Sequence, residues 1–207
     1  MNTDTREWFT LTPAGALRAF GDPHPDEPAR QMQALLTAEH SLDASQWADK
    51  APPLQASDVA HLQSQAWVQV LPRRLQGPDA QLDDFVQHVI AGLSSQRQVV
   101  LASDGGFCLG RAGMEQDEAD VLSAAAADFG DFAARQARRG WQGAARYIAF
   151  HADPEFLLPS HAFVPFWVDS AGYWLVIAGE PLLNSPALVE LMWGIKLAGT
   201  RFALGGA

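Results

Sequence analysis

Hydrophobic positions in the first part of the chain recur at helical spacing. Met32, Leu35 and Leu36 follow the i, i+3, i+4 pattern of a helix with one buried face, directly after a proline-rich segment over residues 21–28 that no regular helix or sheet can contain. The same reasoning predicts helices over residues 41–50 and 57–67, and alternation predicts a strand over residues 67–71. The predicted order is therefore three helices followed by a strand.

From Leu82 onward the pattern changes to helices that alternate with short apolar strands. Leu82, Phe85, Val86 and Val89 mark an amphipathic helix that continues to Leu93. The spacing then predicts strands over 98–102 and 107–110, a long helix over 115–139, strands over 145–151, 161–168 and 173–178, and a last helix over 185–202. The middle of the long helix, residues 122–129, is unusually rich in alanine, so another backbone can approach it closely.

The two strands before the long helix are predicted to form a hairpin. Asp104-Gly105 lies between two apolar runs, which is the strongest local hairpin signal, because both central residues of the favoured tight turns tend to need positive φ. Residues 169–172 are predicted to connect the last two strands in a similar way.

Composition and charge restrict the class of protein. The 207 residues are 48% hydrophobic and 10% aromatic, which is enough for a buried core. The formal net charge is -10, and acidic side chains outnumber basic ones in both halves, which argues against nucleic acid and anionic membrane as partners. The single cysteine, Cys108, excludes an internal disulfide, and the polar N-terminus precedes no apolar run of membrane-spanning length. These features predict a cytoplasmic protein.

Candidate chemical groups are few, and each has an ordinary structural explanation. Cys108 is a possible nucleophile, but a cysteine in an apolar hairpin strand is more often a small buried residue. Residues 151–161 contain His151, Asp153, Glu155 and His161, which either contact a metal or ligand or form a polar surface loop. The sequence therefore predicts no catalytic residues, no cofactor and no metal.

The first 80 residues resemble a winged-helix domain in the order of their elements. In this interpretation residues 72–78 form the turn of a small β-wing, and Arg73-Arg74 is the place where such a wing would touch DNA. The acidic balance of this part and the absence of a basic face on residues 57–67 favour a domain that does not bind nucleic acid.

Residues 82–202 resemble the roadblock/dynein-light-chain domain family. The resemblance is carried by the segment Val99 to Leu109, which reads VVLASDGGFCL, and by the helix segment Asp117 to Ala127 that follows it. It implies an α+β, roadblock/profilin-like fold with a five-stranded antiparallel sheet flanked by helices. The chain is thus predicted to comprise a small, mainly helical winged-helix-like domain over residues 1–80 and a roadblock-like domain over residues 81–207.

The same resemblance implies a function. Members of this family are not enzymes; they scaffold or regulate small Ras-like GTPases and associated complexes, and they dimerise through the long helix and the third strand. By analogy we expect a homodimer that acts as a scaffold or regulator of such a GTPase in a bacterial type of complex. The contact residues implied are Ala124, Ala125, Asp128, Phe132, Tyr147 and Ile148.

Two alternatives remain open from the sequence. A small-molecule sensor of the GAF or PAS type also combines apolar strands, an Asp-Gly turn and an alanine-rich helix, and it would contain a ligand-sized cavity between sheet and helices. An enzyme would instead show convergent titratable residues around Cys108 or His161.

Overall fold

The computed structural model describes residues 6–78, 82–141, 148–150 and 159–204. Within them the chain forms two sheets and several helices. The elements in chain order are β1 (Trp8–Leu11), α1 (Pro13–Phe20), α2 (Glu27–Ala34), α3 (Ala44–Lys50), α4 (Ala56–Ser64), β2 (Val68–Leu71), α5 (Leu82–Ile90), β3 (Val99–Ser103), β4 (Cys108–Ala112), α6 (Gln116–Arg138), β5 (Ile148–Phe150), β6 (His161–Val168), β7 (Ala171–Ala178) and α7 (Pro186–Leu204).

The N-terminal part contains a strand that the sequence did not predict. β1 pairs with β2 in antiparallel register, with Trp8 opposite Leu71 and Leu11 opposite Val68. The predicted helices are present as α2, α3 and α4, although each is shorter than expected. Gln76, in the segment expected to form the wing, makes an isolated bridge with His40. The winged-helix resemblance stays a prediction.

The C-terminal part is an α+β unit with a five-stranded antiparallel sheet, as predicted. The strand order is β4-β3-β7-β6-β5, and every neighbouring pair is antiparallel. Helices α5 and α7 cover one face of the sheet, and α6 crosses the other face. The sheet therefore has helices on both sides, as the roadblock resemblance implies.

Alternation along the strands produces two separate cores. Val99 and Leu101 of β3 face α5 and α7, whereas Val100 and Ala102 face α6. The same alternation places Phe166 of β6 on the α5 and α7 side, where it is buried and stacks on Tyr173 with ring centroids 5.2 Å apart. Its neighbour Trp167 points to the α6 side and is only half-buried.

The β3–β4 hairpin is confirmed, but its turn differs from the expected type. Gly106 has a positive φ of 84°, whereas Asp104 and Gly105 do not. The Ser103 carbonyl accepts a hydrogen bond from the Gly106 N–H at 3.1 Å, and the Ser103 hydroxyl accepts one from the Phe107 N–H at 3.1 Å. These bonds close a loop that ends at Gly106, whose backbone is in the left-handed region. The turn is therefore longer than a two-residue hairpin loop.

The connection between β6 and β7 is shorter than predicted. Asp169 and Ser170 have φ values of 50° and 68°, and β7 begins directly after them at Ala171. Two consecutive positive φ values are typical of a two-residue hairpin turn, whose twist matches that of the strands. The predicted four-residue connection over 169–172 is therefore wrong.

The N-terminal helices pack directly on the α5 and α7 side of the C-terminal sheet. One continuous cluster of buried residues includes Phe20 of α1, Leu36 after α2, Val164 of β6 and Leu191 of α7. The predicted boundary between residues 80 and 81 falls at residues 79–81, outside the described residues, so the division into two domains stays a prediction. Among the described residues, no helix combines the length and hydropathy needed to cross a lipid bilayer.

Candidate protein-interaction surface

The outer face of α6 carries an exposed stripe of apolar residues that also includes one aspartate. We define this α6 outer face by five residues: Val121, Ala124, Asp128 and Phe132, which are exposed at helical spacing, and Ala125, which is half-buried at its margin. The Val121 side chain is 69% exposed and Phe132 is 38% exposed. Large apolar side chains at such positions gain nothing from the fold's own core, so the stripe is suited to contact with another protein.

Trp141 extends this surface beyond the end of α6. Its ring lies edge-on to Phe132, with centroids 6.4 Å apart and an interplanar angle of 88°, and the residue is 55% exposed. Aromatic residues with much exposed area are enriched at the centres of protein interfaces. Phe132 and Trp141 together form an aromatic anchor at one end of the α6 outer face.

The structure brings most of the predicted contact residues to one side of the protein. Ala124 and Asp128 are exposed on α6, whereas Ala125 is half-buried and packs against the core on the α6 side of the sheet. Ile148 of β5 packs against the same core. Tyr147 lies outside the described residues. Their role as contact residues stays a prediction.

β5 lies at the edge of the five-stranded sheet. Among the described strands it pairs only with β6, through Ile148 opposite Phe163 and Phe150 opposite His161. An edge strand presents backbone N–H and C=O groups that can pair with a strand of another chain. The exposed helix face and this strand edge are therefore both suited to contact with another chain.

Sequence reasoning missed two of the residues that contribute most to this surface. Val121 directly follows an acidic stretch and was not distinguished from its neighbours, although it is four residues before Ala125 and eleven before Phe132 and so shares their side of the helix. Trp141 follows the helix stop at Gly140, where no periodic pattern applies. The signal for Val121 was present in the spacing; the exposure of Trp141 depends on tertiary structure.

The alanine-rich middle of α6 is approached by another backbone, as the sequence predicted. The approaching segment is the β3–β4 turn: a Cβ on Gly106 would lie 3.2 Å from the Cβ of Ala127 and 3.4 Å from the Cα of Ala124. These distances are tighter than ordinary contacts, and the positive φ of Gly106 adds strain for any other residue. The β3–β4 turn therefore packs closely against the side of α6.

The other candidate groups are dispersed. Cys108 is half-buried in β4, with its Sγ 3.7 Å from the Gly110 carbonyl oxygen. His161 is the first residue of β6 and is half-buried, while His151, Asp153 and Glu155 lie outside the described residues. Among the residues that the structure describes, no group of three or more His, Cys, Asp or Glu side chains has the arrangement of a metal site.

Two carboxylates lie near the Tyr173 hydroxyl at the β6–β7 end of the sheet. Burial raises the pKa of this hydroxyl, and the carboxylates of Asp169 and Asp104 raise it further because they disfavour a second negative charge. Asp169 also pairs with Lys196 of α7.

Comparison with known proteins finds only distant structural similarity. No protein-family model matches the sequence, and no curated protein matches it. A roadblock/LC7 domain from Streptomyces avermitilis is 18% identical with a TM-score of 0.38, covering 61% of this chain and 99% of that chain. Myxococcus xanthus MglB is 16% identical with a TM-score of 0.38, covering 59% of this chain and 89% of that chain.

Proposed function

We propose that this protein is a non-enzymatic interaction module that forms a homodimer and acts as a scaffold or regulator of a small Ras-like GTPase or an associated complex. The observation that carries the proposal is the exposure of the α6 outer face, 69% at Val121 and 38% at Phe132. The edge position of β5, which pairs only with β6 among the described strands, supports it. The choice of a GTPase as the partner is the most specific part of the proposal, and it rests on the family resemblance of residues 82–202.

The topology supports a shared interface between two copies. When two copies associate through a twofold axis, the same patch meets itself, so an apolar helix face can pack on its counterpart while two β5 edges pair. The small side chains of Ala124 and Ala125 would let two α6 helices approach closely, and Phe132 would insert beside them. Asp128 would remain at the solvent-exposed rim.

The solution mass of the protein tests the dimer. We expect light scattering after gel filtration to give twice the chain mass for the wild type and one chain mass for Val121→Arg, since the charge is introduced at an exposed position that the fold does not need. Ala125→Arg should act in the same way. Ala60→Arg on α4 is the matched control, because it adds the same charge to another exposed helical alanine and should leave the mass unchanged.

Capture experiments test the GTPase. The dimer, immobilised as bait, should retain a Ras-like GTPase from a native extract in a manner that depends on whether GDP or a non-hydrolysable GTP analogue is present. Retention should fall with Val121→Arg and persist with Ala60→Arg. A wild-type monomer, or a dimer indifferent to both α6 substitutions, would contradict the proposed interface.

A small-molecule sensor is the second candidate, because a cavity of about 420 Å³ opens between α5, α7 and the sheet. Its lining is mainly aliphatic, with Asp169 and Tyr173 as polar groups; the aliphatic members include Val86, Leu101, Leu109, Val168 and Ile195. This volume lies in the range of ligand pockets, roughly 300–1,000 Å³. A screen of small apolar molecules that finds saturable binding, blocked by Leu101→Trp, would favour the sensor.

A further inference from the structure

A groove runs between the C-terminal half of α6 and the sheet, on a side of the helix different from the α6 outer face. It consists of two adjoining cavities of about 570 and 470 Å³ that share Gly130, Trp167 and Trp174. On the helix side its lining is small: Ala127, Gly130, Ala133, Ala134 and Ala137. Because these side chains are short, the space between helix and sheet is left open.

The opposite wall of the groove is aromatic. Trp167 and Trp174 lie on the α6 side of the sheet, where Trp174 is opposite Pro165 and Trp167 is opposite Gly172. A Cβ on Gly172 would lie 3.3 Å from the indole nitrogen of Trp167 and 3.0 Å from the Cβ of Asp104. Because Gly172 has no side chain, the Trp167 indole and the Asp104 side chain can both lie close to its backbone.

The indole N–H of Trp174 has no acceptor among the described residues. The N–H groups of Trp47 and Trp193 donate to the carbonyls of Gln31 and Ala38 at 2.7 and 2.8 Å. Trp174 is only 5% exposed, and its Nε1 lies 3.7 Å from the position of a Cβ on Gly130, which lines both cavities. This atom is not among the fully buried polar atoms that lack a partner, so the N–H faces the groove. A ligand in the groove that offers an acceptor would take the place of water at this N–H.

Carboxylates line the groove. Asp104 and Asp131 line the second cavity, and neither forms an ion pair with a described residue. Among the described residues that line the two cavities there is no Lys or Arg, and the titratable groups of the first are Asp22 and His24. A cationic group would be attracted to these carboxylates, and an anionic one repelled.

We propose that this groove binds an arginine-bearing peptide segment of a different protein. The guanidinium stacks on Trp167 between the carboxylates of Asp104 and Asp131, and a peptide carbonyl accepts the Trp174 N–H. Arginine fits better than lysine because its planar, weakly hydrated group both stacks on aromatic rings and donates to carboxylates. A second copy of this chain is disfavoured as the occupant, since the carboxylates of Asp104 and Asp131 favour a cationic segment and acidic residues outnumber basic ones in this chain, 24 to 14.

Blocked amino acids test the chemistry of the groove. Acetyl-arginine methylamide and its neutral isostere acetyl-citrulline methylamide are titrated into ¹⁵N-labelled full-length protein, while the indole N–H signals are followed by NMR. The Trp167 and Trp174 signals, assigned with single Trp→Phe variants, should shift saturably with the arginine compound. The citrulline compound should bind about tenfold more weakly, because the charge-assisted hydrogen bonds are lost.

Three variants complete the test. Gly130→Leu, which fills the groove, and the double substitution Asp104→Asn with Asp131→Asn should each abolish the saturable shift, and Ala60→Arg should not. The proposal is overturned if neither indole signal responds, if citrulline binds as well as arginine, or if the carboxamide variant binds unchanged. A change in the solution mass of the protein with Gly130→Leu would also overturn it, since the groove would then be an interface between copies of this chain.

Discussion

The indole Nε1 of Trp193 in α7 donates a hydrogen bond of 2.8 Å to the backbone carbonyl of Ala38, which follows α2. The Trp193 ring is 2% exposed and is flanked by Gly77, where an added Cβ would lie 2.8 Å from a ring carbon. One side chain of the C-terminal part thus joins two separate segments of the N-terminal part. The consequence is that the two parts should lose stability together when this contact is removed.

Replacing Trp193 tests that coupling. Trp193→Phe removes the donor, leaves the Ala38 carbonyl without its partner and should lower the free energy of unfolding by about 1–3 kcal/mol. Trp167→Phe is the matched control, because Trp167 is half-buried in the groove and no acceptor for its indole N–H is present among the described residues. Urea unfolding followed by circular dichroism measures both. An effect of Trp193→Phe no larger than that of Trp167→Phe would contradict the coupling.

Two glycines in helices should respond to alanine in opposite directions. A Cβ on Gly15 of α1 would lie 1.9 Å from the backbone carbonyl oxygen of Trp67, so Gly15→Ala forces α1 away from the segment before β2. We expect a loss of about 1–3 kcal/mol, as for other overpacked sites. A Cβ on Gly130 of α6 meets only ordinary contacts, the nearest at 3.7 Å, so Gly130→Ala should stabilise the protein by about 0.5–1 kcal/mol.

Thermal unfolding of the two glycine variants is the measurement. The melting temperature should fall for Gly15→Ala and rise for Gly130→Ala. Equal destabilisation by both substitutions would mean that the close approach of α1 to Trp67 does not restrict the protein.

The elements that the sequence predicted well are those whose signal is local. α6 is observed over Gln116–Arg138 against a prediction of 115–139, because a long amphipathic pattern with acids first and arginines last specifies a helix by itself. β1 was missed because its four residues are stabilised by β2, about sixty positions further along the chain, and because the buried polar Thr10 interrupts the apolar run. Contacts of that range leave no local pattern.

The two candidate surfaces likewise differ in how far the sequence predicts them. The α6 outer face follows from helical spacing once the helix is assigned. The family resemblance implies four of its five residues, and the helical period alone indicates Val121. The groove beside Gly130 was not predictable, because it requires α6, β6 and β7 to meet at a particular distance. Sequence indicated that Phe166 and Trp167 point to opposite sides of one strand; only the structure shows that Trp167 and Trp174 share a wall.

The Asp26 carboxylate should contribute stability that disappears in acid. Asp26 precedes α2, where one oxygen accepts the Ala29 N–H at 3.0 Å and the other is paired with Arg18 of α1. Burial acts to raise the pKa of Asp26, but the bonds from Arg18 and Ala29 and the charges of Arg18 and Arg30 outweigh it and lower the pKa overall. The stabilising contribution is therefore present above the ordinary pKa of an aspartate and is lost as the pH falls through the lower, folded value.

Asp26→Asn separates charge from capping, since asparagine can still accept the Ala29 N–H. It should be less stable than the wild type at pH 7, by less than about 1 kcal/mol because the ion pair is exposed. The difference should shrink as the pH falls through the lowered pKa of Asp26 and the wild-type carboxyl becomes protonated. Asp26→Ala, which also loses the cap, should cost about 0.5–2 kcal/mol both at pH 7 and in acid. A constant difference between wild type and Asp26→Asn across this range would contradict the role of the charge.

Tyr173 should ionise only at unusually high pH, because burial and the carboxylates of Asp169 and Asp104 raise the pKa of its hydroxyl. The tyrosinate absorbance of the wild type minus that of Tyr173→Phe isolates this residue from the other of the two tyrosines. Asp104→Asn should lower the pKa of Tyr173, whereas Asp131→Asn, at a carboxylate that does not perturb it, should leave it unchanged. Since the folded pKa is raised, the stability that this residue contributes is complete below about pH 10 and is lost as the pH rises through the folded value. A pKa that is unaffected by Asp104→Asn would show that the Asp104 carboxylate does not act on Tyr173, and the negative potential of Asp104 at this end of the groove would then be too weak to select an arginine.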